Sequence, residues 1–156
     1  MTNRVFEARI AILGYPLPRE AAAMGLYLPA VRVGDLVFTS GAIPIKDGEV
    51  QVRGHVGGDV SVEDAGHAAR LCVANALAAV RDEAGSLAEV QRIVKLTGFV
   101  SSAPGFEAQP QVMDAASQLL IDVFGDPGRC VRSAIGVAEL PLGAAVEVEL
   151  VAQVKS

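Results

Sequence analysis

Apolar residues recur along this chain in two rhythms, one helical and one alternating, and together they predict its elements. Phe6, Ile10 and Leu13 fall at helical spacing, which gives a short amphipathic helix at the start. GYPLPRE then breaks the pattern, because Pro16 and Pro18 bias the residues before them away from helix. YLPAVRV, a Gly34-Asp35 turn and LVFTSG read as a hairpin of two short strands. The glycine-rich stretch 42–59 predicts mostly loop, with a third short strand around 49–53. Ser61 followed by Asp64 forms a capping-box-like start, and Ala65, Ala68, Ala69, Cys72, Val73, Ala76, Leu77 and Val80 make an apolar stripe on a helix that runs to about Ala84 and stops at Gly85. So many alanines let that helix pack close to a sheet.

Ser86 with Glu89 starts only a turn of helix before RIVKLTGFVSS, which is β-branched and strand-like. A second amphipathic helix follows in AQPQVMDAASQLLIDVFG, with Pro110 in its first turn, Val112, Ala116, Leu119, Leu120 and Val123 on one face, and Gly125 at its end. VRSAIGVAELPLGAAVEVELVAQV then alternates on both sides of Leu140-Pro141-Leu142-Gly143 and reads as an antiparallel hairpin. In 144–154 the even positions Val146 to Val154 are apolar, leaving Glu147, Glu149, Val151 and Gln153 on the other face. In 131–139, Val131, Ile135 and Val137 supply the apolar face, and Arg132 shares the other with Ala134, Gly136 and Ala138. The order strand, strand, helix, strand, helix, strand, strand predicts an α/β fold with both helices on one face of a mixed sheet. Its other face would be bare, and the small residues beside Arg132 predict that copies of the chain cover it.

Composition sharpens this picture. Hydrophobic residues make up 51% and charged residues 20% of 156, and the mean hydropathy is +0.40, which is high for a monomer of this size and points to an oligomer. A net charge of −5 with 13 scattered basic residues argues against nucleic acid as a partner. Cys72 and Cys130 have no second close thiol and no histidine at a ligand spacing, so neither a metal site nor a disulfide framework is expected, and a reducing compartment fits. No apolar run approaches the roughly 20 residues of a membrane span, and Arg4, Glu7 and Arg9 break the start too much for a signal peptide. A cytoplasmic location is expected.

Two readings of the closing charges stay open. If the last two strands pair, Glu149 lies opposite Ala134 and Glu147 opposite Gly136, with Arg132 within the diagonal reach of about 7–8 Å from Glu149. That pair would be surface decoration worth at most about 1 kcal/mol. Alternatively, Arg132 clamps a carboxylate bidentately while a nearby glutamate handles protons. Other candidates are weaker. His55 sits in a loop and His67 on a helix without a partner at a recognisable spacing, and Ser40 in TSGAIP lacks a nucleophile-elbow pattern. Cys130 reads as a small hydrophobe. No GxGxxG or GK[ST] loop is present, so no nucleotide cofactor is expected.

Tyr27 with LPAVRVGDLVFTSGAIP, then NALAAVRDEAGSLAEVQRIVKLTGFV, and RSAIGVAELPLGAAVEVELVA resemble the YjgF/RidA family of reactive-intermediate imine deaminases, whose older label is endoribonuclease L-PSP. The resemblance runs from about Tyr27 to Val154. It implies a chorismate-mutase-like fold in one domain over 1–156, with 1–14 as an N-terminal helical extension, and a homotrimer whose sheets face inward as a barrel with sites between subunits. It also implies that Arg132 binds the substrate carboxylate and that Glu147 positions or activates water. Tyr27, Gly41, Phe99 and Ala134 would line the substrate, with Ala134 standing where founding members commonly carry cysteine. The implied reaction is hydrolysis of 2-imino or 2-enamino acids to 2-oxo acids and ammonia, without metal or organic cofactor. A trimer that binds small carboxylates without turnover is the alternative. Ribonuclease activity is least favoured, given the charge and the lack of a histidine pair.

Overall fold

A computed structural model describes residues 4–23 and 25–156. Its helices are α1 (Val5–Ile12), α2 (Val62–Ala84) and α3 (Gln109–Phe124). Its strands are β1 (Ala30–Val33), β2 (Leu36–Thr39), β3 (Ile45–Lys46), β4 (Glu49–Val50), β5 (Val90–Ser101), β6 (Val131–Val137) and β7 (Val146–Val154). The helices begin and end where local chemistry dictates. The Ser61 hydroxyl accepts a hydrogen bond from the Asp64 amide at 3.0 Å, and α2 ends at Gly85, whose φ of +88° suits glycine. β3 and β4 form a small separate ladder in the stretch where one short strand is expected.

Five strands make the main sheet in the order β1-β2-β7-β5-β6. Only β5 and β6 run parallel, joined by α3 as the crossover; the other neighbours are antiparallel. α2 and α3 pack on the same face, and the core lies between them and the sheet. The predicted stripe of α2 and that of α3 are buried throughout. Val146, Val148, Leu150, Ala152 and Val154 of β7 meet them, which settles the inward face of that strand as its alternation predicts. α1 lays Ile10 into the core and Phe6 against Phe124, with ring centroids 5.2 Å apart.

The closing hairpin is not formed. β5 is inserted between β6 and β7, so Glu149 faces Thr97 and Glu147 faces Phe99, rather than Ala134 and Gly136. A twelve-residue strand with one buried face gains most by pairing along both edges, and α3 supplies the length that a parallel neighbour requires. The alternation in β6 is as predicted, but its faces are inverted. Val131 and Ile135 are 65% and 42% exposed on the bare side, whereas Ala134 packs against the core. A Cβ on Gly136 would lie 2.7 Å from the Gln109 side chain, and one on Gly98, the register partner of Ala134, would run into Met113. Within one chain, Gly98 and Ala134 thus leave room for α3 to pack closely. The bare face instead carries Phe38, Val131 and Ile135.

Candidate functional site

Glu147 projects from β7 onto the bare face, between Phe99 on the neighbouring strand and Gly41, just beyond the end of β2. The amide and carbonyl of Ala42 both bond Val148, so the backbone at Gly41 runs hard against the glutamate. Only a residue without a side chain leaves room: a Cβ at Gly41 would sit 2.8 Å from Cδ of Glu147 and closer still to Oε1. Partial burial pushes the Glu147 carboxyl above its ordinary pKa, and the like charge of Glu149 adds to that shift. Among the described residues it makes no hydrogen bond or ion pair. A half-buried, unpaired acid with a raised pKa is equipped to take a proton and give it back.

Tyr27, Gly41 and Glu147 line a single cavity of about 630 Å³. It runs over the sheet edge to α2 and the loop 14–22, a wall that the sequence pattern does not announce. Phe99 and Ala134 are not among its lining residues; Phe99 lies half-buried on the bare face and Ala134 under α3.

Arg132 stands apart from this group. Its side chain leaves β6 on the helix side of the sheet, where Nη1 donates to Asp114 Oδ1 at 2.9 Å and to Ser117 Oγ at 3.1 Å. Its acid partner is therefore on α3 and not on β7, and the expected pairing with Glu149 is replaced. Asp114 and Ser117 escape a reading of strand patterns, although their spacing of three places them on one helix face. Among the described residues nothing engages Nη2 or Nε, so one edge of the guanidinium fork is open. Arg132 and Glu147 lie on opposite faces, with β5 between their strands. One chain does not bring them into a common site.

The weaker candidates have structural partners. Ser40 donates its hydroxyl to the Leu28 carbonyl at 2.6 Å. His67 Nδ1 bonds the Tyr15 hydroxyl. His55 Nε2 lies 3.0 Å from Glu139, which raises the imidazole pKa. Burial pushes the thiols of Cys72 and Cys130 upward, away from nucleophilic thiolate. Among the described residues no cluster of three metal-ligating side chains exists, and no helix is long and apolar enough to cross a membrane.

A two-layer α/β protein with an acid-bearing cavity at its sheet edge is the class that this geometry defines. A family model described as "YjgF/chorismate mutase-like, putative endoribonuclease" matches residues 7–154, and the chain belongs to the YjgF/RidA family. It is 37% identical over 150 residues to Protein TCP17 of Trypanosoma cruzi, covering 96% of this chain and 94% of that one. Among solved structures, Atu1372 of Agrobacterium tumefaciens, a protein of unknown function, is 41% identical with a TM-score of 0.90, covering 97% of this chain and 94% of that one. TdcF of E. coli with bound serine is 30% identical with a TM-score of 0.62, covering 88% of this chain and 94% of that one.

Proposed function

We propose that the protein hydrolyses reactive 2-imino and 2-enamino acids to 2-oxo acids and ammonia, as a homotrimer in which Arg132 of one copy serves the cavity of its neighbour. The observation that carries this reading is Glu147, an unpaired, half-buried carboxylate with a raised pKa, fitted against Gly41 at the end of a cavity. Support for assembly comes from the bare face, where Phe38, Val131 and Ile135 are 40–65% exposed. Further support is the separation of Arg132 from Glu147, which makes a shared site possible only across a boundary between copies. The serine bound in the E. coli relative is an amino acid, with a carboxylate and a nitrogen on C2 like the proposed substrate.

In the reaction, the open Nη2 and Nε edge of Arg132 grips the substrate carboxylate with two parallel N–H···O bonds. Glu147 takes a proton from water as the oxygen attacks the carbon of the protonated imine, which gives a neutral carbinolamine. The protonated Glu147 then gives that proton to nitrogen, the C–N bond breaks with ammonia as the leaving group, and the Glu147 carboxylate takes the hydroxyl proton as the C=O bond of the 2-oxo acid forms. Positioning supplies much of the acceleration, because such imines already hydrolyse in water.

A coupled assay in which an amino-acid oxidase generates the imine tests this. Purified protein should speed release of the 2-oxo acid, and Glu147→Gln should lower that gain by roughly 10²–10⁴. No acceleration by a correctly folded protein leaves the alternative, a trimer that binds small carboxylates without turnover, in which Glu147→Gln retains affinity.

A further inference from the structure

The cavity is larger and more apolar than a small imino acid requires. Its walls include Tyr15, Leu17 and Ala21 of the N-terminal loop, Ile43, and Leu71 and Ala79 of α2. Its polar groups away from Glu147 are largely spent on the protein itself. The Asn75 amide nitrogen donates to the carbonyls of Ile43 and Ile45 at 3.0 and 2.9 Å, the Tyr15 hydroxyl is bonded to His67, and the Ser40 hydroxyl to Leu28. Glu20, Lys46 and Asp47 also border it, and all three are exposed. Inside that charged border, the stretch between the loop and α2 is walled chiefly by the hydrocarbon of Tyr15, Leu17, Ala21, Leu71 and Ala79.

The loop wall is fastened to α2. Arg81 donates from Nη1 to the Pro18 carbonyl at 3.0 Å and from Nη2 to the Arg19 carbonyl at 2.9 Å, and the Ala21 amide donates to Asp82 at 2.9 Å. Together with the Tyr15–His67 bond, these hold Tyr15, Leu17 and Ala21 against α2. A preformed apolar wall of this kind selects its ligand by shape and hydrocarbon content.

From this we infer that the substrate carries a bulky apolar side chain, aromatic or branched aliphatic, which lies between the 15–22 loop and α2 while its reacting carbon meets Glu147. This rests on the deaminase reading for the chemistry, but the selectivity belongs to the cavity. A polar or charged side chain laid between the loop and α2 would face the apolar groups of Tyr15, Leu17, Ala21, Leu71 and Ala79, and a methyl group would leave them unfilled.

The test compares imines generated by amino-acid oxidase from alanine, leucine and phenylalanine, each corrected for its uncatalysed hydrolysis. In parallel, calorimetry compares binding of pyruvate and phenylpyruvate to the unmodified protein. The leucine- and phenylalanine-derived imines should exceed the alanine-derived one in kcat/KM by about tenfold or more, and phenylpyruvate should bind correspondingly tighter. Ala21→Trp should bring both ratios toward one by filling the cavity. Equal kcat/KM for all three imines overturns the inference and leaves the deaminase reading intact. Tighter binding of phenylpyruvate without acceleration of any imine upholds the inference and removes that reading. Equal binding with no acceleration overturns both.

Discussion

Gly41→Ala separates the fold from the chemistry more cleanly than removal of Glu147 does. The φ of Gly41 lies outside the left-handed region, so alanine fits the backbone there. The added methyl carbon would lie 2.8 Å from Cδ and 3.2 Å from Cγ of Glu147, and closer to Oε1, which is too near for all three atoms. All three belong to the mobile end of one side chain, on the partly exposed bare face, so the carboxylate can turn away without moving the sheet. The cost in stability should then stay within about 1 kcal/mol, below the 1–3 kcal/mol typical of an overpacked core, and reduced chain entropy in the unfolded state offsets part of it. The cost in activity should be far larger, because an ångström of displacement in a reacting group lowers rate by about 10². The displaced carboxylate would also gain water and lose its desolvation, so its pKa falls toward the ordinary range. Activity is lost as pH drops through that pKa and the base becomes protonated, so the acidic limb of the pH–rate profile should move to lower pH in the variant. Thermal denaturation and kcat/KM across pH, measured on the coupled assay, check all three expectations. A variant with kcat/KM within twofold of the unmodified protein and an unmoved acidic limb would refute the placement of Glu147 as base.

Three further outcomes follow from the same structure. Asp114→Asn leaves the fold stable to within about 1 kcal/mol, since the pair with Arg132 is partly exposed, but it removes the charged anchor of Nη1, leaving Ser117 and a neutral amide to hold it, and should raise KM for the imine more than it lowers kcat; titration of substrate against variant checks this. Gly98→Ala drives a methyl group into the fully buried Met113 side chain and should cost about 1–3 kcal/mol in a chemical denaturation series. Glu147→Gln removes a carboxyl whose raised pKa favours its neutral form in the folded protein. That carboxyl weakens the fold once pH rises above its unfolded pKa, so the variant should melt higher at neutral pH, with the difference vanishing as pH falls below the ordinary carboxylate range.

Periodicity exposes the two helices, their caps and the inward face of β7, because burial under one layer imposes a strict spacing on apolar residues. It also puts Glu147 on the outward face, and the resemblance of LVFTSGAIP and VEVELVA to known sequences brings Tyr27 and Gly41 to it. Strand neighbours were less legible. Alternation in 131–137 says which residues share a face and is silent on which face points inward, since Ala134 and Gly136 suit a close helix as well as a close partner chain. The composition of β5 carries no sign that it pairs on both edges; that follows from the sheet as a whole. Asp114 and Ser117 were hidden for a similar reason, because their meaning depends on Arg132 rising toward α3. The cavity wall at 15–22 is a Pro-punctuated loop without periodicity, and only its bonds to Arg81, Asp82 and His67 give it shape.

The position of β7 also governs the order in which the molecule can be built. Along the chain it follows every other strand, yet in the sheet it sits between β2 and β5. Until it is in place, the β1-β2 hairpin and the β5-α3-β6 unit have no backbone ladder in common. A ribosome therefore releases two half-sheets whose inner edges are unpaired, and the closing step must thread one strand between them, with contacts spanning more than a hundred residues from Val37 to Ala152. Such long-range closure makes for slow folding and exposes edges to other chains in the interval. The same strand carries Glu147 to Gly41, so the candidate site and the sealed sheet form in one event, and a nascent chain halted before β7 has neither and keeps an open gap through which it can associate.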